Sequence, residues 1–372
     1  MNAYEIRRNR LYDWMAGESV AMLMLEDAEG RRDPAVRWLT GQPGDSLLFL
    51  SVDRRCALVP WDAHLARLYA DAEHLIPYTD FERHPIKAAR SIAEFFKIPA
   101  GSKVEIPSGT AYPMFLKYVE GLGDYDVLCR DGGADEEIVS MRAVKDEEEI
   151  RILREAAVIT NELTGLLETE FASGALKTET DVALFIEAAA RSRGCEGTGF
   201  ETIAAGPSRS FGIHAVPAFT ADPFGGNGLS ILDFGLKFHG YTTDVTITVA
   251  RGPLSRTQTR MLSLVEKAYD LALSMIVPDV PTREISLAVD ALFAKAKRTM
   301  PHALGHGIGL EAHEAPALRS RADNEWKLSP GMVFTLEPGL YDPVHGGCRL
   351  ENDVLMSAKG PEILTRARIL RL

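Results

Sequence analysis

Two stretches of this chain run from strongly apolar residues onto a carboxylate, then through a turn into a second strand-like run that carries another. The first begins Ser230-Ile231-Leu232-Asp233 and returns, after a segment containing Gly235 and Gly240, as Thr242-Thr243-Asp244-Val245-Thr246. The second begins Met332-Val333-Phe334-Thr335-Leu336-Glu337 and returns as Cys348-Arg349-Leu350-Glu351. An acid at the end of a buried strand is costly unless it is paired or bound to a metal. Both stretches have the pattern of a β-hairpin, with glycine and proline in the turns. A first turn centred on Phe238-His239 places Asp233 opposite Asp244, and Glu337 and Glu351 are symmetric about Val344. Directly opposite residues of an antiparallel pair share a face, with Cβ atoms about 4.5–5.5 Å apart. Carboxylates so placed repel each other unless a cation lies between them.

Between the hairpins lies His302-Ala303-Leu304-Gly305-His306-Gly307-Ile308-Gly309-Leu310-Glu311-Ala312-His313-Glu314-Ala315-Pro316. The four-residue spacing of His302 and His306 resembles that of a helical zinc-protease motif, but no HExxH is present and three glycines disfavour a helix. The glycines predict an extended segment whose backbone approaches a ligand or metal closely. Four carboxylates and one imidazole nearly neutralise two divalent ions. Such an oxygen-rich set points to Mn2+ (manganese), with Co2+, Zn2+ or Fe2+ as alternatives. Two metals about 3.5–4 Å apart activate water and stabilise a developing oxyanion, which is the chemistry of amide hydrolysis.

The rest of the chain frames this centre. Its 372 residues exceed one ordinary core and predict two domains. The net charge of −12 argues against a nucleic-acid partner. The first ten residues carry charge with no apolar stretch behind them, unlike a secretory signal, and no run reaches the ~18 apolar residues of a membrane span. Cys56, Cys129, Cys195 and Cys348 stand far apart, which fits free thiols in a reducing cytoplasm and excludes a cysteine-rich zinc site. Residues 7–15 and 62–72 read as helices, 20–25 and 47–52 as strands, and the polar residues 130–137 as a boundary loop. A long amphipathic helix follows over 145–171. Thr178-Glu179-Thr180-Asp181-Val182 and Pro281-Thr282-Arg283-Glu284-Ile285 each follow a long helix and lead into glycine-punctuated strands, an internal echo of two similar halves.

With these residues in view, the chain resembles the creatinase/prolidase/methionine aminopeptidase superfamily, the pita-bread metallopeptidases of peptidase family M24. The motifs that carry the resemblance occur in order: Asp-Phe-Gly to Gly-Tyr-Thr-Thr-Asp-Val-Thr (233–246), the histidine segment (302–316), Leu-Glu-Pro-Gly-Leu-Tyr (336–341) and Arg-Leu-Glu-Asn-Asp (349–353). Met141-Arg142-Ala143-Val144-Lys145 resembles the opening of the catalytic domain in prolidases and aminopeptidases P, and Trp38-Leu39-Thr40-Gly41 a motif of their N-terminal domain.

The resemblance implies an α/β (α+β) fold. An N-terminal creatinase/prolidase-like α/β domain would span residues 1–133, and a pita-bread catalytic domain with an internal pseudo-twofold repeat residues 134–372. It also implies roles. Asp233 would hold one metal, His306 and Glu337 the other, and Asp244 and Glu351 would bridge both. Glu337 would also serve as proton shuttle, His313 would hydrogen-bond the scissile carbonyl, and His302 and His214 would line the substrate pocket. Arg349 would fix an aspartate carboxylate. The expected enzyme is a cytoplasmic, homodimeric Xaa-Pro aminopeptidase acting on short proline-containing peptides, with no nucleic-acid or membrane partner. The alternatives are a prolidase (Xaa-Pro dipeptidase), a diverged member hydrolysing another small amide or C–N substrate, and a non-catalytic binding protein on the same fold. A prolidase must neutralise its substrate's terminal carboxylate, for which Arg319 and Arg321 are candidates. Two positions depart from the family pattern, Ile247 where many relatives have Arg and Asn352 where Asp is frequent, and both are expected to touch the shell around the metals.

Overall fold

The apolar runs read as strands near the N-terminus form Val20–Asp27 and Ser46–Ser51, which pair antiparallel at the centre of a six-stranded sheet. The computed structural model describes residues 1–372, which fall into two units, Met1–Met141 and Arg142–Leu372. In the first unit, helix Ala3–Glu18 opens with a capping box between Asn2 and Glu5, which satisfies two backbone donors at its start. One face of the sheet buries Met22, Met24, Leu47, Phe49, Ala57, Val59 and Val104 against Ala88, Ile92 and Tyr118 of two helices.

The boundary loop expected over 130–137 is only partly a loop. Helix Ala134–Ala143 begins inside it, so the two units divide later than the loop, between Met141 and Arg142. Asp135, Glu136 and Glu137 are its first-turn acids, where negative charge complements the helix dipole. The buried Glu105 carboxylate accepts the Ala134 N–H at 2.6 Å. The acidity that reads as a solvated loop is thus a helix-start signal.

In the second unit, helix Glu147–Ser173 starts from an Asp146/Glu149 capping box and stops at Gly174 in the left-handed conformation. The internal echo corresponds to two helix pairs, Glu147–Ser173 with Glu179–Arg191, and Arg256–Met275 with Thr282–Lys295. Thr178 and Pro281, the residues that introduce the second helix of each pair, make matching bridges to Pro223 and Lys327. Each half has its own core. Leu163, Phe171, Ile186, Leu232 and Phe234 pack in one, and Val265, Ile285, Val289, Phe293 and Phe334 in the other. No helix is long and apolar enough to cross a membrane. All four cysteines are free thiols.

Candidate metal centre

The first hairpin pairs Gly228–Phe234 with Val245–Arg251, and Asp233 stands opposite Thr246 rather than Asp244. The turn is made by His239 and Gly240, both at positive φ, so it lies one residue beyond the expected centre and every partner shifts by two. Because strand side chains alternate with period two, a two-residue shift keeps Asp233 and Asp244 on one face. They become diagonal neighbours instead of direct ones. In the second hairpin the register is the expected one. Val333–Leu336 pairs with Asn352–Ser357 and Gly339–Asp342 with Gly346–Arg349, and both ladders are symmetric about Val344. Glu337 and Glu351 occupy the break between the two ladders. The hairpins meet where the Glu351 N–H donates to the Thr246 carbonyl at 3.3 Å.

His306 lies on the short strand Gly305–Gly307, extended as its glycines predict. The reason is different from the one expected. A Cβ at Gly305 would meet the Thr335 carbonyl at 2.0 Å, and one at Gly307 the Ala315 carbonyl at 1.9 Å. The glycines therefore admit neighbouring backbone on both sides rather than a ligand.

The strands bring Asp244, His306 and Glu351 together, with one potential ligand atom from each within 4.8 Å of the others. His306 Nε2 lies 3.7 Å from Asp244 Oδ2 and 3.6 Å from Glu337 Oε1. Asp233 reaches the same place through Arg349, whose Nη2 donates to its Oδ2 at 2.5 Å while Nε lies 3.8 Å from Glu351 Oε2. Three of the five residues expected to hold metal thus cluster directly, Glu337 lies beside His306, and Asp233 joins them through Arg349.

The electrostatics suit a cation. Burial, then the charges of Glu351 and Asp233, pushes the Asp244 carboxyl well above its ordinary range, and burial with Glu351 does the same to Glu337. Burial and Asp233 raise Glu351 to about 7. Asp233 Oδ1 and Asp244 Oδ1 are buried and make no hydrogen bond, a costly arrangement for carboxylate oxygens with no partner. Burial, reinforced by His313, lowers His306 to about 3 and so keeps its imidazole neutral, the form with a free lone pair. Orphaned oxygens, crowded carboxylates and a neutral imidazole fit divalent cations. Asp233, Asp244, Glu351, Glu337 and His306 would be the ligands.

The other histidines rim the centre. His302 Nδ1 lies 3.7 Å from Glu337 Oε2 and Nε2 lies 3.0 Å from the Tyr341 hydroxyl. His313 packs against His306, ring centroids 4.2 Å apart. Burial is the first cause that lowers both His302 and His313, and the nearby His214 lowers each further. Arg349, itself 1% exposed, donates to Asp233, to the Thr246 hydroxyl at 2.9 Å, to the Tyr341 hydroxyl at 2.7 Å and to the Ile213 carbonyl at 3.1 Å. It joins the metal face to the segment that carries His214.

Four contributors escaped the sequence reading. Thr246 donates to Glu351 Oε2 at 2.7 Å, and Asp353 accepts the Asp244 N–H at 3.1 Å. Tyr341 links His302 to Arg349. Period two carries the signal for all three, since Thr246, Tyr341 and Asp353 follow Asp244, Gly339 and Glu351 by two residues. The fourth is Glu314, which binds Arg142 at 2.5 Å and Lys145 at 3.2 Å. Its burial alone would raise its pKa, but Lys145 and Arg142 outweigh this and hold it below the usual range. Glu314 also accepts the Glu311 N–H at 3.0 Å, pinning the turn that presents His313. Glu314→Ala should destabilise the protein by about 3–5 kcal/mol, because it strands the buried Lys145 ammonium and leaves the buried Arg142 with Glu311 alone. Urea unfolding measures this, and a loss below about 1 kcal/mol would show that the cluster is not structural.

The remaining candidates lie elsewhere. Arg319 and Arg321 both pair with Asp323, at 3.9 and 2.8 Å, and border a surface cavity of about 250 Å³ with Ser286, Asp290 and His302. Ile247 is buried among Leu232, Val245 and Val249, on the strand face opposite Thr246. Asn352 exchanges hydrogen bonds with the Ala367 backbone. Neither departure touches the shell around the carboxylates, contrary to expectation.

Comparison with known proteins places the chain in a family. Residues 151–358 match the model of metallopeptidase family M24. The chain is 30% identical over 285 residues to the Xaa-Pro dipeptidase of Pyrococcus horikoshii, covering 76% of this chain and 78% of that protein. It is 35% identical over 234 residues to the uncharacterised peptidase YqhT of Bacillus subtilis, a match that spans 62% of this chain and 65% of YqhT, just under two thirds. Among solved structures, the X-Pro aminopeptidase of Thermotoga maritima superposes with a TM-score of 0.85 at 26% identity, covering 98% of this chain and 99% of that one. The Xaa-Pro dipeptidase of Bacillus anthracis, 23% identical with a TM-score of 0.85, shares the fold over 99% of this chain and 100% of its own. The family match covers more than half the chain and includes both acid hairpins and the histidine strand between them: this protein belongs to metallopeptidase family M24.

Proposed function

We propose that this chain is a metal-dependent peptidase that cleaves the bond between an N-terminal residue and proline in short peptides. The observation that carries the reading is the approach of Asp233, Asp244, His306, Glu337 and Glu351 to one another, with His302 and His313 beside them and His214 close enough to act on both histidines. Bound divalent ions, Mn2+ first among them, would supply Lewis acidity at the scissile carbonyl and acidify a water. The chain's own residues do the rest. Glu337 is more exposed than Asp244 or Glu351, with its side chain at 16% against 6% and 2%. It therefore faces the substrate side, where a carboxylate can take a proton from water and pass it to the leaving proline nitrogen. His313 would offer an N–H donor to the scissile carbonyl, while His302, held by the Ala303 carbonyl and the Tyr341 hydroxyl, would line the pocket. Arg349 holds Asp233, and Thr246 holds Glu351, so that neither carboxylate rotates as charge develops.

The names of the relatives weigh toward the dipeptide, since the Pyrococcus relative is an Xaa-Pro dipeptidase. Two arginines weigh toward longer peptides. Arg349 is committed to Asp233, Tyr341, Ile213 and Thr246, and Arg321 to Asp323, so neither stands ready for a free terminal carboxylate, whereas Arg319 reaches Asp323 only at 3.9 Å. Hydrolysis of Xaa-Pro dipeptides and Xaa-Pro-Yaa tripeptides with added Mn2+ tests both. Cleavage of tripeptides alone would exclude a strict dipeptidase. No cleavage of either would end the Xaa-Pro reading.

A further inference from the structure

Residues 206–220 form a surface loop that leaves one strand at Ala205 and returns near Thr220, with His214 at its middle. Both ends of this loop are held by one side chain that no metal role requires. Glu179 stands at the first position of helix Glu179–Arg191 and is fully buried. Its Oε1 accepts the Gly206 N–H at 2.8 Å, and its Oε2 accepts the Thr220 N–H and the Thr220 hydroxyl, each at 2.8 Å. Arg209, inside the loop, donates to the same Oε2 at 2.5 Å and with its other nitrogen to the Pro217 carbonyl. Thr180 closes the neck further, donating through its N–H and hydroxyl to the Thr220 carbonyl. The space is tight as well, for a Cβ at Gly206 would meet the Pro223 carbonyl at 2.2 Å.

We propose that Glu179 is a positioning residue, a buried carboxylate that clamps the neck of the 206–220 loop and thereby holds His214 at the metal centre. The loop has two anchors. Arg349 takes the Ile213 carbonyl beside His214, and Ser210 joins the Leu229 carbonyl to the Gly347 N–H. Those contacts set where the middle of the loop sits, and Glu179 sets where it begins and ends. The clamp needs a carboxylate, since all four groups aimed at Glu179 are donors. A glutamine would turn its amide N–H groups toward some of them and leave others without an acceptor. The role of His214 in this inference rests on the Xaa-Pro reading above, while the clamp itself does not.

The test uses the full-length, metal-loaded protein and the variants Glu179→Gln, Arg209→Met, His214→Ala and the double variant Glu179→Gln/His214→Ala. Amide exchange over residues 207–217 should quicken at least ~10-fold in Glu179→Gln, and in Arg209→Met if the glutamine variant does not fold, with metal content unchanged. On the peptide that the wild type cleaves, KM should rise ~10-fold with kcat within about twofold. Glu179→Gln should add little to His214→Ala, because a residue that acts through another is not additive with it. Unchanged loop exchange would overturn the clamp. Additive losses in the double variant would overturn its action through His214. Exchange is read without substrate, so a chain inactive on every Xaa-Pro peptide still decides the clamp and separates its failure from that of the Xaa-Pro reading.

Discussion

Glu337→Ala is expected to lower kcat by about 10²–10⁴-fold, the usual contribution of a well-placed general acid–base. Its carboxylate sits at the break between two ladders of the second hairpin, where the Glu337 N–H turns to the Leu304 carbonyl at 2.9 Å. One oxygen lies 3.6 Å from His306 Nε2 and the other 3.7 Å from His302 Nδ1, so it spans the metal face and the substrate rim. Alanine removes both a ligand and a base, and a second variant is needed to part these effects. Glu337→Gln keeps an oxygen donor but cannot accept a proton at neutral pH. Metal content by elemental analysis should then stay near the wild-type value while kcat falls by the same order as in the alanine variant. A wild-type-like kcat in Glu337→Ala would refute its part in proton transfer. Equal loss of metal and activity in both variants would reduce it to a ligand.

How legible the centre is in the sequence depends on how local its causes are. The Glu337/Glu351 register follows from hairpin symmetry alone, because the ladders on both sides of the break share one centre at Val344. The Asp233/Asp244 register shifts because the turn falls where two consecutive residues accept positive φ. His239-Gly240 meets that demand as a primed two-residue turn, while Phe238-His239 would ask it of a phenylalanine. Strand periodicity places Thr246, Asp353 and Ile247 once the register is known, and Ile247 then falls on the core face. The clamp at Glu179 and the cluster of Arg142, Lys145 and Glu314 are of another kind. Their partners stand 27 to 172 residues apart in the chain, and an acid in a first helical turn looks the same whether it meets water or four donors. The same ambiguity made the acids after Ala134 read as a loop.

Metal should stabilise this protein far more at pH 8.5 than at pH 6.5. In the metal-free chain Glu351 has its pKa raised to about 7, first by burial and then by Asp233, and Asp244 and Glu337 are raised well above their ordinary values. A carboxylate whose folded pKa is raised holds its proton more tightly in the folded state. Its contribution is complete below the unfolded value and is lost as pH rises through the folded one. His302 and His306 act with the opposite sign, because burial lowers them to about 4 and about 3, but their contribution changes only below the unfolded histidine value of 6.5. Between pH 6.5 and 8.5 the carboxylates therefore act without the histidines. Each one still protonated in the folded state costs the metal-free protein up to about 1.4 kcal/mol per pH unit as its proton leaves. A divalent cation binds the deprotonated forms, so its Kd tightens as pH rises, and its whole stabilisation is about 2.7 kcal/mol where it stands at a hundredfold excess over that Kd. Urea unfolding of chelator-treated and Mn2+-loaded protein at the two pH values reads the difference directly. The metal-free midpoint should fall as pH rises, and the gap between the two forms should widen by at least ~1 kcal/mol. A gap of equal size at both pH values would mean that the buried carboxylates shed their protons without a cation, and the five residues would no longer qualify as its ligands.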